Sequence, residues 1–380
     1  MNQIVEQDRD LAGTLLAEDM AKILPGGSWS CEYARLDFAS AERAELVYTK
    51  NGAAPLRVRV APVRESDAAV MIAGGWWASV HAATDDPSLP GLSQALARVN
   101  DPQIIRYRPG KRCTFRGVLV DGRTVFVKTF AHERAADIWR DSLAIAAASA
   151  HAELAFAVAA PVWLDRETNS LALSSIPGAN AAPLLCQDGG EALAGDIANA
   201  LATIPRSGAK TAFRFTAEDQ LARTSKYARK FRRAAPTLTP LIDDVVSALT
   251  LAHKRAVGER LRPVHGAPHP QQWLYGPAGL GLVDFDRFGL GPIELDAATF
   301  VAELDFEAEA GGGRNKAIRS FVINYRNAVG AFDDEMFMIY RTHKHVAKAF
   351  KASLAVRSDR IARAGEILTG ALGMLREMAA

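Results

Sequence analysis

Apolar positions recur at helical spacing over residues 3–24, at Ile4, Leu11, Leu15, Leu16, Met20, Ile23 and Leu24, and Pro25-Gly26-Gly27 ends the pattern. The period then shortens. Ser30 to Phe38, Ala44 to Tyr48 and Leu56 to Val60 read as strands, with Lys50-Asn51-Gly52 as the hairpin turn between the last two. A turn-rich run from Asp85 to Gly91 closes this part of the chain, which predicts a small α/β accessory unit over residues 1–95. Three further strands follow, Ile104 to Tyr107, Cys113 to Val120 and Thr124 to Phe130. They are joined by the basic loop Arg108-Pro109-Gly110-Lys111-Arg112 and by an Asp121-Gly122 turn. A helix is expected from His132-Glu133 through Trp139 into an alanine-rich run over residues 142–160, and Leu171 to Ile176 reads as a strand ending at Pro177-Gly178.

Beyond residue 182 the spacing is mostly helical: Glu191 to Ile204, Ala217 to Arg233, Leu238 to Arg255, Asn315 to Val329, Asp333 to Leu354 and Ser358 to Met378. One β-hairpin interrupts it. Two apolar runs, 273–275 and 280–283, flank the turn Gly276-Pro277-Ala278-Gly279. His265, His269 and Gln272 precede the first strand, and Asp284 and Asp286 follow the second. A closed hairpin therefore gathers these polar groups at one edge, an arrangement suited to a cation and a phosphate.

Composition narrows the classes. A chain of 380 residues with 49% hydrophobic and 23% charged residues has room for two or three domains and a large core. A net charge of +2 is too small to argue for nucleic acid. The longest apolar run, over 142–160, is broken by His151 and Glu153 and reads as a buried helix rather than a membrane span. Acidic residues near the amino terminus replace the basic start of a signal peptide, so a cytoplasmic protein is expected. Cys31, Cys113 and Cys186 have no CxxC spacing and predict buried thiols in a reducing compartment, with no zinc site. His343 and His345 are expected at the surface, and the basic run Lys226 to Arg233 reads as a solvated helix face or an attractor of anions.

The stretch from Val264 to Phe300 resembles the catalytic and metal loops of the aminoglycoside phosphotransferase family of kinase-like enzymes. That pattern runs His-Gly-Asp, four residues, Asn, a hairpin, then an apolar residue followed by Asp. His265 and Gly266 match its start, Gln272 stands at the Asn position, Asp284 at the metal-binding Asp, and Asp296 at a second, structural Asp. Ala267 stands where the family carries its catalytic aspartate. The resemblance implies an α+β, bilobal protein-kinase-like fold after the accessory unit, with a β-rich N-lobe over 96–178 and a helical C-lobe over 179–380. It implies Lys128 as the nucleotide lysine, paired with Glu133 (Asp137 being the other choice), and Lys111 and Arg112 over the phosphates. It also implies Asp284 and Gln272 on the metal, and Ala267 with His265 at the catalytic position, where a histidine more often fixes the loop than acts as acid or base. The cofactors implied are ATP or GTP and Mg2+, and the partner a small-molecule hydroxyl substrate, with neither nucleic acid nor membrane involved.

Phosphoryl transfer needs a lysine and metal to hold the nucleotide and a carboxylate to orient and deprotonate the attacking hydroxyl. Alanine does neither. The sequence therefore predicts a phosphotransferase acting on a sugar or aminoglycoside-like alcohol and impaired at residue 267, or a pseudokinase that binds nucleotide without turnover. Asp286 either assists the metal or caps the turn.

Overall fold

A computed structural model describes residues 20–37, 43–50, 53–72, 75–255, 260–306 and 313–379. The predicted first helix lies outside these residues except for α1 (Met20–Ile23), and Asn51-Gly52 of the predicted turn lies outside them too. The first sheet contains β1 (Ser30–Leu36), β2 (Ala44–Thr49) and β3 (Leu56–Ala61), as the alternation predicts. It also contains β4 (Val70–Met71) and β5 (Trp77–Ala82), in the order β1-β2-β3-β5-β4. Neither added strand alternates cleanly, so the period-2 signal passed over both. One face of the sheet buries Leu46, Tyr48, Val58 and Val60, together with Val356 from the far end of the chain. From the same sheet, Val47 packs with Tyr107, Phe115 and Val127 in the core of the next one.

That second sheet has the order β10-β11-β8-β7-β6, built from β6 (Asn100–Arg108), β7 (Arg112–Val118), β8 (Thr124–Phe130), β10 (Pro161–Asp165) and β11 (Ser170–Ser174). Strand β8 lies at its centre, flanked by Thr114 on one side of Lys128 and Leu171 on the other. Val125 and Val127 enter the core below α2 (Leu92–Leu96), so the pleat turns Lys128 to the opposite face. Helix α3 (Ala135–Ala150) starts later than predicted. The side-chain oxygen of Asn169 accepts the N–H groups of Arg134 and Ala135, at 3.3 and 3.2 Å, and caps it there. Its alanine-rich continuation is not helical to residue 160; it returns as β9 (Ala157–Val158), parallel to the later hairpin.

The chain leaves this lobe through Pro177-Gly178 into β12 (Ala179–Asn180), which pairs with hairpin strand β14 (Trp273–Gly276). Helices α4 (Ala182–Leu185), α5 (Gly190–Leu201), α6 (Ala217–Ala234) and α7 (Thr239–Arg255) come before the hairpin. After it come α8 (Glu294–Leu304), α9 (Gly313–Val329), α10 (Asp334–Ser353) and α11 (Arg360–Ala379), forming the helical lobe. The protein is a two-lobed α+β fold with a further sheet at its amino-terminal end. That sheet also reaches the helical lobe, where Leu36 N–H donates to the Leu354 carbonyl at 2.8 Å.

Several expectations change here. Cys113 is buried, but Cys31 is exposed and Cys186 only half-buried. His343 and His345 are buried inside the lobe rather than at the surface, because α10 is enclosed by α6, α7 and α8. Among the described residues, no helix is long and apolar enough to cross a membrane.

Candidate active site

The loop that carries Ala267 is positioned from both ends. Strand β13 (Arg262–Val264) pairs with β16 (Gly289–Gly291), and hairpin strands β14 and β15 (Gly279–Leu282) pair just beyond the loop. The buried Asp296, in the first turn of α8, accepts the N–H groups of His265 and Gly266 at 2.6 and 2.8 Å. Gly266 has φ +80°, and a Cβ there would lie 2.2 Å from the Arg287 carbonyl and 2.6 Å from the Phe215 ring. His265 is fully buried; its Nε2–H donates to the Val283 carbonyl at 3.2 Å and its ring packs on Phe285. Burial brings its pKa down to about 4, which keeps the imidazole neutral. The expectation of a catalytic His265 is therefore corrected. It has no face on the cleft and acts by holding the loop.

Lys128 reaches from β8 across the lobes to the segment after β15. Its Nζ lies 2.5 Å from Asp284 Oδ1 and 2.5 Å from Asp286 Oδ1. Arg112 joins from β7, bonding Asp286 directly and lying 3.6 Å from Asp284. Burial works against ionisation of Asp284, yet Lys128 and Arg112 hold its carboxyl well below the usual carboxylate range. Burial and the adjacent Asp284 charge push Asp286 the other way. Asp284 sits at φ +72°, a conformation that a non-glycine residue adopts only where its surroundings impose it. Glu133 is not the partner of Lys128. The Asn169 cap starts α3 after it, leaving Glu133 exposed, while Asp137 pairs with Arg140 at 3.0 Å.

Gln272 also differs from expectation. Its Oε1 accepts the His269 N–H at 2.7 Å, so its amide nitrogen faces Asp284 Oδ2 at 3.2 Å. A backbone N–H fixes which end of the amide is oxygen, and that oxygen is turned away from any metal beside Asp284. The carboxylates of Asp284 and Asp286 are the pair whose chemistry suits a hard divalent cation. Between β6 and β7 the basic turn is pinned from below: the buried Asp86 accepts the Gly110 N–H at 2.7 Å and the Tyr107 hydroxyl at 2.8 Å on one oxygen. The Gly110 and Lys111 amides are thus committed to the protein, and the turn offers the cleft the side chains of Arg108, Lys111 and Arg112.

These groups line a cavity of about 790 Å³ into which Ala267 faces. Ten lysines and arginines border it against three carboxylates, Asp284, Asp286 and Glu303. Glu303 is held by His269 at 3.0 Å and by Lys348. The sequence reading passed over Arg134, which donates to the Asp286 carbonyl at 2.8 Å, and over Arg223, Arg287 and Lys344. Those three lie far apart in sequence on elements whose relative placement no local pattern encodes.

Residues 111–328 match the family model described as the phosphotransferase enzyme family. Among solved structures, the chain is similar to choline kinase LicA from Streptococcus pneumoniae, at 14% identity and TM-score 0.53 over 74% of this chain and 95% of that one. It is similar to amicoumacin kinase hAmiN in complex with AMP-PNP, Ca2+ and Ami, at 14% identity and TM-score 0.56 over 77% and 94%. It is similar to the apo form of a thermostable mutant of aminoglycoside phosphotransferase APH(4)-Ia, at 11% identity and TM-score 0.52 over 77% and 99%. Curated protein sequences give no match. At such identities the structures speak for the kinase-like fold alone, whereas the family model spans more than half of the chain, from Lys111 of the basic turn to Ala328 near the end of α9: this chain belongs to the phosphotransferase enzyme family.

Proposed function

We propose that the chain binds ATP or GTP with Mg2+ in the interlobe cleft and transfers the terminal phosphoryl group to a hydroxyl of a small molecule. The observation that carries this is the contact of one buried lysine, Lys128, with two carboxylates, Asp284 and Asp286, that themselves line a cavity shared with Ala267. Unliganded, the ammonium neutralises the carboxylates. With nucleotide present, Lys128 would engage the phosphates, Asp284 and Asp286 would hold the cation, and Lys111 and Arg112 would contact the phosphates. When bound, the cation neutralises charge that develops on the transferred group. The bond balance is simple: the acceptor oxygen bonds to the terminal phosphorus, and the bridging P–O bond breaks with its electron pair leaving on the nucleoside diphosphate. The hydroxyl proton passes to water, because Ala267 cannot take it. Residues 1–95 serve as an accessory unit, with 96–178 and 179–380 as the two catalytic lobes.

The amicoumacin kinase named above was solved with a nucleotide analogue and a divalent cation, which supports the same use of the cleft here. A second reading, nucleotide binding without turnover, is favoured by Ala267 itself, since every other carboxylate in the cleft is already engaged by a cation. Calorimetry with ATP and GTP, with and without Mg2+, on this chain and on Asp284→Ala, tests the site. Transfer of labelled phosphate to an alcohol panel separates the two readings. Affinity that ignores both Mg2+ and Asp284→Ala would remove the cation role.

A further inference from the structure

The helical side of the cleft carries positive charge that nucleotide binding leaves without a task. Arg223 on α6, Arg287 between β15 and β16, and Lys344 on α10 all face the cavity. The guanidinium carbons of Arg223 and Arg287 lie over the same buried Phe215 ring, 5.7 and 5.2 Å from its centroid. Among the described residues, none of the three cations has a carboxylate at ion-pair distance, and Arg287 Nε is buried without a hydrogen-bond partner. The three carboxylates of the cavity belong to others: Asp284 and Asp286 to Lys128 and Arg112, Glu303 to His269 and Lys348.

The cluster is held in place by its neighbours. Thr224 Oγ1 and His343 Nδ1 are 2.7 Å apart, joining α6 to α10 at the residues next to Arg223 and Lys344. Gly266 packs against the Arg287 carbonyl and the Phe215 ring, which sets the cluster beside Ala267. Like charges so arranged oppose one another: burial and then Arg287 bring the Lys344 pKa down to about 7, with Glu303 pulling the other way and Arg223 adding a smaller push. An anion between them offsets that cost. Two guanidinium forks and an ammonium match the three terminal oxygens of a phosphate monoester.

We propose that Arg223, Arg287 and Lys344 form an anion subsite for a phosphate group carried by the acceptor, so that the substrate is a phosphorylated alcohol. This rests on the phosphotransferase reading and narrows its acceptor. A polycationic, aminoglycoside-like acceptor meets repulsion here, and a neutral sugar leaves the cations unpaired.

The test is titration of inorganic phosphate into the full chain saturated with AMP-PNP and Mg2+, repeated with the Arg223→Gln/Lys344→Met double variant. Phosphate is expected to bind this chain at millimolar concentration or below and to be weakened about tenfold or more in the double variant, with AMP-PNP affinity held within about twofold. Glycerol 3-phosphate and glucose 6-phosphate should compete with phosphate, and glycerol and glucose should not. No phosphate binding by this chain, or equal affinity in a folded double variant, overturns the subsite. If the double variant does not fold, Arg223→Lys keeps the charge and loses the fork; an affinity unchanged there overturns it as well. Should AMP-PNP bind neither protein while phosphate binding still fails in the double variant, the nucleotide reading falls and the anion subsite stands.

Discussion

Lys128 Nζ lies 2.5 Å from Asp284 Oδ1, although 156 positions separate the two residues and they belong to different lobes. The contact makes the ammonium a stand-in for the cation that the two carboxylates are suited to hold. Lys128→Met leaves Asp284 and Asp286 with the charge of Arg112 and the amide of Gln272, and is expected to cost about 3 kcal/mol, the low end for breaking a buried pair. Added Mg2+ should raise the stability of the variant more than that of the parent chain in urea unfolding. Equal responses would count against these carboxylates as the cation site.

Restoring a carboxylate at residue 267 tests the chemistry. Positioned proton transfer is worth about 10²- to 10⁴-fold in rate, and the Lys128 and Asp284 contacts do not pass through residue 267. Ala267→Asp should therefore raise phosphate transfer by about two orders of magnitude or more with little change in nucleotide affinity. A folded Ala267→Asp protein that binds ATP and stays inactive across a broad panel of phosphorylated and plain alcohols would favour nucleotide binding without turnover.

His265 gives a pH dependence with a definite sign. Its pKa falls from 6.5 in the unfolded chain to about 4 in the folded one. As pH drops below 6.5 the unfolded chain takes up the proton first, so this contribution is complete above 6.5 and is lost progressively down to about 4. Between pH 7 and pH 5 the loss should approach about 2 kcal/mol. Urea unfolding of His265→Gln, which keeps an amide N–H for the Val283 carbonyl, should show a shallower acid slope; an unchanged slope would place the titration elsewhere.

Lys344 gives a dependence of the same sign in a higher pH window. Its pKa falls from 10.5 to about 7, so the penalty for its charge is fully present below pH 7 and is relieved as pH rises toward 10.5. Lys344→Met should stabilise the unliganded chain by roughly 1 kcal/mol or more at pH 6.5 while weakening phosphate binding. Calorimetric melting with and without phosphate would separate these effects, and a destabilised variant would mean that the lysine is structural.

Glu133→Gln should leave nucleotide affinity within about twofold of the parent, since Glu133 is exposed and outside α3. A loss of about tenfold or more would show that the helix start shifts on binding.

What the sequence made legible follows from how local each signal is. Lys128 stood out because a lysine in an apolar strand needs a reason, and the hairpin between Gln272 and Asp284 reads directly from its turn residues. The partner of Lys128 was misassigned because the start of α3 depends on Asn169, a residue after β10 whose side chain returns to cap it. Gln272 was misassigned for a similar reason: the destination of its oxygen is set by the His269 backbone, which residue identity does not reveal. The cluster of Arg223, Arg287 and Lys344 leaves no trace in any window of the sequence, because it forms only where α6, α10 and the segment between β15 and β16 meet.

The hydrogen bond from Leu36 to Leu354, together with Val356 in the core of the first sheet, makes that sheet a second tie between the lobes besides the strand connection at Pro177-Gly178. Mechanically, the cleft is a ring rather than a jaw. Wide swinging about one hinge would strain the tie. The residue that receives this tie, Leu354, lies one position beyond Ser353 at the end of α10, so the first sheet is fastened to the same helix that carries Lys344 and Lys351 into the cationic wall.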